Sequence, residues 1–342
     1  MYYSIEGKIF QTKGSVFLYQ LYQVSAGPGG DCYLIVGAEK AGIYDTGMAY
    51  CAPGLIANIE KILGQRSLDY IFASHSHYDH IGAAPYIKRR WPQAQLLAHI
   101  HAKEVLQKPG ALRTIRRLNG EAATFFHGPA PLPYDESLFQ VDQVIGQGDI
   151  ISLGGAQMKV YETPGHTRCS LTFVLESTTS ESQPGQLCPT TCPGSWSGPF
   201  TPEDGNGYAS VLFASETCGY TDTHGRLIPS YLVSFEDTLH SIDLCESLKC
   251  PVIISPHYGF VMGEGAKTYW QRCYEAALAS KNFLLQLYDQ GLSEAEILRR
   301  YEAFIDGLKI SGQPKSAYIL NTRSTLQLLV RTFRPNVSRS VC

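Results

Sequence analysis

The stretch His75-Ser76-His77-Tyr78-Asp79-His80 constrains this chain more than any other, because it crowds three imidazoles and a carboxylate into six residues. It follows the apolar run Leu68-Asp69-Tyr70-Ile71-Phe72-Ala73, which reads as a buried strand bounded by polar residues. Ile81-Gly82-Ala83-Ala84-Pro85, just after it, reads as a turn leading into a helix. Alternate residues of an extended chain share a face, so His75 and His77 can point at a common centre. The turn then re-aims Asp79 and His80 at a neighbouring point. Imidazole and carboxylate without thiolate suit zinc, iron or manganese rather than a thiolate cluster. A polar strand end with solvated histidines would explain one His, but fits three and an Asp poorly.

Three further stretches belong beside this one. Gly146 to Gly155 reads as a glycine-punctuated hairpin, followed by an alternating strand from Met158 and the tight turn of Thr163-Pro164-Gly165-His166-Thr167. Pro164 and Gly165 end the strand and swing His166 outward. Ala209 to Ala214 reads as a strand ending in Ser215-Glu216-Thr217, and Val252-Ile-Ile-Ser-Pro256 as a buried strand from which His257 emerges. Upstream, Cys32 to Val36 and Ala41 to Gly47 read as two strands, the second ending in Asp45-Thr46-Gly47. Taken alone, Asp45 is an ordinary turn residue capable of an Asx hydrogen bond.

With these motifs in this order, the sequence resembles the metallo-β-lactamase-fold hydrolase superfamily, whose signature is His-x-His-x-Asp-His at a strand end. The resemblance implies an α/β fold, an αββα sandwich, carrying a C-terminal helical appendage. It implies that His75, His77 and His166 hold one metal, and that Asp79, His80 and His257 hold a second. Asp45 would then orient the histidine loop. Where the family has Gly-Asp with a bridging carboxylate, this chain has Ser215-Glu216. Glutamate is one methylene longer, which leaves metal choice and nuclearity open, and Asp222 is the reserve carboxylate. The expected cofactors are two divalent metal ions, zinc first, with iron or manganese as alternatives.

Length and composition bound the rest. A chain of 342 residues suggests about two domains or one with an appendage. We read residues 1–263 as the catalytic domain, with a loop insertion at 177–208, and 264–342 as a C-terminal helical region. Net charge is −3 with no long basic run, which argues against nucleic acid as a partner. No apolar run approaches a membrane span and the first residues lack a secretion-signal pattern, so the expectation is a cytoplasmic protein with no membrane partner. The ten cysteines are scattered, and we expect reduced, mostly buried thiols. Cys188 and Cys192 are a close pair, with a local clip as the minority reading.

Several segments are less explicit. His99-Ile100-His101 reads as a surface strand end rather than a second ligand pair. Residues 110–140 read as a mixed excursion, with His127 and Tyr134 as candidate substrate-lining residues. The 177–208 stretch, rich in Ser, Thr, Pro, Gly and Cys, reads as loop. Tyr269 to Gln290, Ser293 to Phe304 (opened by a capping box) and Lys315 to Phe333 read as helices, which either roof the cleft or serve as a dimerisation module.

A metal lowers the pKa of bound water from about 15.7 to ~7, and two metals can hold the nucleophile and polarise the scissile group. Asp79 would orient water or pass a proton, and Tyr258 would donate a hydrogen bond to a substrate oxygen or simply pack. The sequence therefore points to hydroxide-dependent hydrolysis of a small-molecule ester, thioester or lactone. A phosphodiesterase, a di-iron redox enzyme and a non-catalytic metal-bound effector are the alternatives.

Overall fold

In a computed structural model, the protein is described at residues 19–178, 186–188, 210–222, 226–306 and 313–335. Two sheets lie face to face. The first is seven-stranded, in the spatial order Gln186–Cys188, Tyr19–Gln23, Tyr33–Gly37, Ala41–Tyr44, Tyr70–Phe72, Gln95–Ala98 and Gln143–Val144. The second is six-stranded, in the order Phe260–Met262, Val252–Ile254, Ser210–Phe213, Leu171–Ser177, Ala156–Glu162 and Ile150–Ser152.

The layering follows from alternation along the strands. Tyr33, Ile35, Tyr44, Phe72 and Leu97 of the first sheet meet Met158, Val160, Phe173, Val211, Phe213 and Ile254 of the second in one core. Rings interlock across that gap, Tyr44 with Phe213 at 4.7 Å and Phe72 with Phe173 at 5.8 Å between centroids. The other face of the first sheet, through Leu34, Ile43, Ile71 and Leu96, packs on helices through Leu55, Ile59, Ile87 and Ile115. The outer face of the second, through Val174, Leu212 and Ile253, packs on Ile242, Cys245, Tyr269 and Trp270. The result is the expected αββα sandwich.

Local sequence signals account for where the helices start and stop. Ala52–Leu63 begins with a proline in its first turn and buries Leu55, Ile59 and Leu63, spaced four apart on one face. Gly64, at φ 58°, ends it by donating its N–H to Glu60 O. Ser234 caps Phe235–Ser247 by accepting from Asp237 N at 3.1 Å. Glu264–Asp289, Glu294–Asp306 and Lys315–Phe333 form the C-terminal helices, and their core also includes Ile228, Tyr231 and Phe235. Among the described residues, no helix is long and apolar enough to cross a membrane.

Two stretches are more ordered than their composition suggests. Residues 110–140, read as a mixed excursion, open with the 17-residue helix Pro109–Phe125, which buries Ile115, Leu118 and Ala122. The 177–208 stretch is not wholly loop, since Gln186–Cys188 adds a parallel edge strand to Tyr19–Gln23. Cys192, and so any clip with Cys188, lies outside the described residues. Cys32, Cys51, Cys169, Cys218, Cys245 and Cys273 are buried free thiols.

Candidate metal centre

Strands Ala41–Tyr44, Tyr70–Phe72 and Gln95–Ala98 run parallel, so their carboxyl ends open onto one edge of the sandwich. In open α/β sheets that edge is where ligands bind. Asp45 leaves the first of these strands and the histidine loop leaves the second. From the other sheet, His166 follows Ala156–Glu162, Glu216 follows Ser210–Phe213, and His257 follows Val252–Ile254. Ser210–Phe213 and Val252–Ile254 are parallel neighbours, which brings Glu216 and His257 out side by side.

Two groups of side chains converge there. One is His75, His77, His166 and Glu216, and the other is Asp79, His80 and His257; within each, the ligand atoms lie within 4.8 Å of one another. Glu216 stands between them. Its Oε2 is 2.7 Å from His166 Nε2 and 3.4 Å from His75 Nε2, while Oε1 is 3.0 Å from His257 Nε2. Asp79 Oδ2 lies 3.8 Å from both His80 Nε2 and His257 Nε2. His77 Nδ1 and His166 Nε2 are 2.9 Å apart.

Behind these groups, hydrogen bonds fix which nitrogen faces inward. Asp45 is 1% exposed and accepts from Ser74 N at 2.8 Å and Ser74 Oγ at 2.7 Å, and its Oδ2 is 2.7 Å from His80 Nδ1. Asp45 therefore does more than make a turn, because it clamps the start and the end of the histidine loop. Ser74 Oγ lies 3.1 Å from His75 Nδ1, and Ser230 Oγ lies 2.9 Å from His166 Nδ1. Partners of this kind hold a ligating ring in position. The backbone is equally constrained. Gly165 sits at φ 140°, and a Cβ there would meet Thr238 Oγ1 at 2.3 Å and Thr217 Cγ2 at 2.6 Å.

The residues fit a metal on two observations. His75 Nε2 and His80 Nε2 are buried and make no hydrogen bond, a costly state for an imidazole nitrogen. The donor set is nitrogen and oxygen, which suits zinc, iron or manganese. The electrostatics agree with a site built for positive charge. Burial pushes the His75 imidazole well below its usual range and His77 down to about 3, and neighbouring imidazoles add to both shifts. Burial acts the same way on His80, but Asp79 and Asp45 outweigh it and lift the ring to about 10. Glu216 is held well below the usual carboxylate range because His166, His257 and His75 together overcome its burial.

Tyr258, next to His257, has a left-handed backbone at φ 57°, uncommon for a non-glycine residue. The turn is pinned by Ser255 N to Gly259 O at 2.9 Å and by Gly259 N to Asp31 Oδ2 at 3.0 Å. Burial pushes the Tyr258 hydroxyl up to about 12, with the charges of Asp31 and Asp79 adding to the effect.

A cavity of about 710 Å³ opens over the cluster and is lined by His77, Asp79, Glu216, His257 and Tyr258. The helix Pro109–Phe125 lines it through Thr114, Ile115 and Leu118, and the C-terminal helices through Tyr301, Ile305 and Ala317. Those helices therefore roof the cleft. His127 and Tyr134 do not line it. His127 is exposed at the end of the helix, and Tyr134 packs its ring against Tyr86 and Phe139. Asp222 is not in the cluster either, since it is held by Arg226 at 2.9 Å. His99 caps the helix Ile100–Leu106 by accepting from His101 N, and His101 pairs with Glu104. Sequence reasoning missed Ser74, Ser230 and Asp31. Ser230 lies 64 positions from the ring it supports, a pairing no local motif reveals.

Residues 27–179 match the family model described as Metallo-beta-lactamase superfamily. Among curated proteins, a probable metallo-hydrolase of Burkholderia pseudomallei is 32% identical over 124 residues, covering 36% of this chain and 36% of that protein. Glyoxylase B2 of Dictyostelium discoideum is 31% identical over 126 residues, 37% of each chain. A hydroxyacylglutathione hydrolase of Xylella fastidiosa is 27% identical over 104 residues, covering 30% of this chain and 27% of that one. The matched stretches thus span about a third of those relatives. In fold, the chain is similar to an archaeal metallo-beta-lactamase superfamily protein from Sulfolobus tokodaii, with TM-score 0.50 and 21% identity over 74% of this chain and 85% of the other.

Proposed function

We propose that this protein, whose residues 27–179 match the metallo-beta-lactamase superfamily model, is a metal-dependent hydrolase that uses two divalent metals to hydrolyse an ester, thioester or lactone of a small molecule. The observation that carries the reading is the placement of Glu216, with one carboxylate oxygen on the His166 side and the other on the His257 side. His75, His77 and His166 would hold one metal and Asp79, His80 and His257 the other, with Glu216 between them. When bound, such a pair lowers the pKa of water towards ~7 and polarises a carbonyl oxygen.

The chain's own residues do the rest. Asp45, Ser74 and Ser230 hold the imidazoles of His80, His75 and His166 by their outer nitrogens, so that the other ring nitrogens face the pocket. Asp79, on the cavity wall beside His80 and His257, would orient the attacking water and pass a proton to the leaving group. Tyr258 is a neutral hydroxyl on the cavity wall, suited to donate a hydrogen bond to a substrate oxygen. The helices Pro109–Phe125 and Lys315–Phe333 exclude water with Ile115, Leu118 and Ala317, which strengthens each electrostatic contact inside. The hydroxyacylglutathione hydrolase relative supports acyl transfer to water over the phosphodiester alternative.

Purified protein reconstituted with zinc, iron or manganese should hydrolyse members of an ester, thioester and lactone panel. Two bound metals with no turnover on that panel would refute the reading in favour of a metal-bound effector.

A further inference from the structure

The charged groups that line the cavity are not evenly matched. Glu302 is paired with Lys315 at 3.0 Å, and Glu104 with His101 at 2.9 Å. Lys108 forms no ion pair among the described residues, but its charge helps lower the Glu104 carboxyl. Asp79 and Glu216 belong to the metal cluster. Arg168 remains, exposed on the cavity wall. Among the described residues, no carboxylate forms an ion pair with it.

Its position in the chain sets its distance from the chemistry. Arg168 is two residues beyond His166, so their Cα atoms are at most about 7 Å apart. The backbone between them is fixed. Thr167 N donates to Ser170 Oγ at 3.2 Å, Thr167 Oγ1 lies 2.8 Å from that hydroxyl, and Cys169 is buried with its thiol 3.5 Å from Ser76 Oγ. A guanidinium on so rigid a base, beside a cluster that cleaves acyl groups, is a ready receptor for a planar anion. Ile115, Leu118, Ile228, Leu232 and Ile305 give the same cavity an apolar lining. It would take the uncharged part of the molecule.

We propose that Arg168 binds a carboxylate carried by the substrate, a few bonds from the carbonyl that is cleaved, so that the substrate class is an acidic acyl compound with an apolar leaving portion. This rests on the hydrolase reading above and adds a specificity-determining residue to it.

The test uses the full-length, metal-loaded protein and a matched pair of aryl thioesters, one a succinic acid monothioester and the other its carboxamide counterpart. The wild type prefers the acid by about 10- to 100-fold in kcat/KM, the range expected for one charge-assisted bidentate contact. In Arg168→Ala the preference falls to about one, through KM rather than kcat, and Arg168→Lys keeps part of it. Calorimetry with the non-hydrolysable thioether analogues of both compounds gives a readout that needs no turnover. The anionic analogue binds the wild type more tightly than the carboxamide, less so at high salt, and the difference disappears in Arg168→Ala. Equal binding of the two analogues by the wild type, or a preference that survives in folded Arg168→Ala, overturns the proposal. Arg168-dependent binding of the anion without hydrolysis of either thioester would leave the anion site standing and defeat the hydrolase reading instead.

Discussion

Asp45→Asn changes one atom in the clamp behind the histidine loop and should weaken one metal position far more than the other. The wild-type carboxylate is buried, receives Ser74 N and Ser74 Oγ, and sits 2.7 Å from His80 Nδ1. As an acceptor it holds a proton on Nδ1 and turns Nε2 towards the pocket. In the amide, an NH2 group replaces one of the two oxygens. If it faces Oδ2's partners, the Ser74 hydroxyl can rotate to accept from it, but His80 can accept only by moving its proton to Nε2. Loss of such a support typically costs metal affinity about 10- to 100-fold, or ~1.4–2.7 kcal/mol. The metal-free fold should lose about 1.5–3 kcal/mol, the range for a hydrogen bond to a charged group. Competition against a chromophoric chelator resolves the two binding phases, and urea unfolding of the metal-free protein gives the stability. The Asp79–His80–His257 phase should weaken while the His75–His77–His166 phase stays near wild type. Two unaltered phases, or equal weakening of both, would refute the clamp as the reason His80 is available.

Glu216→Ala should reduce the metal content of purified protein from two ions to one or none by elemental analysis, and unaltered content would remove Glu216 from the site. Phe213→Ala empties the centre of the inter-sheet core, where the ring lies 4.7 Å from Tyr44 and 5.9 Å from Tyr33. It should cost about 3–5 kcal/mol in denaturant unfolding, and a cost below about 1 kcal/mol would show that the core there repacks. Gly165→Ala should lower both stability and metal affinity, because its left-handed backbone and the Thr238 contact leave no room for a methyl group. A variant with wild-type melting and metal binding would contradict that. Adding metal at about 100 times its Kd should stabilise the fold by ~2.7 kcal/mol, and a chelator should reverse the shift in Tm; no shift would mean that the cluster does not bind metal in the folded state.

Most of the candidate site was legible because its residues sit at strand ends, where a local motif also fixes a position in space. His75, His77, Asp79 and His80 come from one loop, and Pro164-Gly165 aims His166. Glu216 was harder. Its role depends on His257 emerging from the neighbouring parallel strand, a pairing between residues 41 positions apart. On the substrate side the lining segments were legible but the lining residues of 110–140 were not. In Pro109–Phe125, Arg113, Arg116 and Arg117 obscured an apolar stripe at Ile115, Leu118 and Ala122, although its spacing is helical. The composition of that segment drew attention to His127 and Tyr134 instead. Asp222 was plausible by carboxylate count, but Arg226, one helical turn's sequence spacing away, holds it. Arg168 had no motif of its own, and its importance comes from the carboxylates around the cavity being paired with other partners or committed to the cluster.

Whether two cations share one pocket with Glu216 between them is read from anomalous X-ray scattering by crystals of the metal-loaded protein. Two peaks per chain are expected, one bonded to His75, His77 and His166, the other to Asp79, His80 and His257, with a carboxylate oxygen of Glu216 in reach of each. A single peak, or none within bonding distance of these imidazoles, would contradict that arrangement.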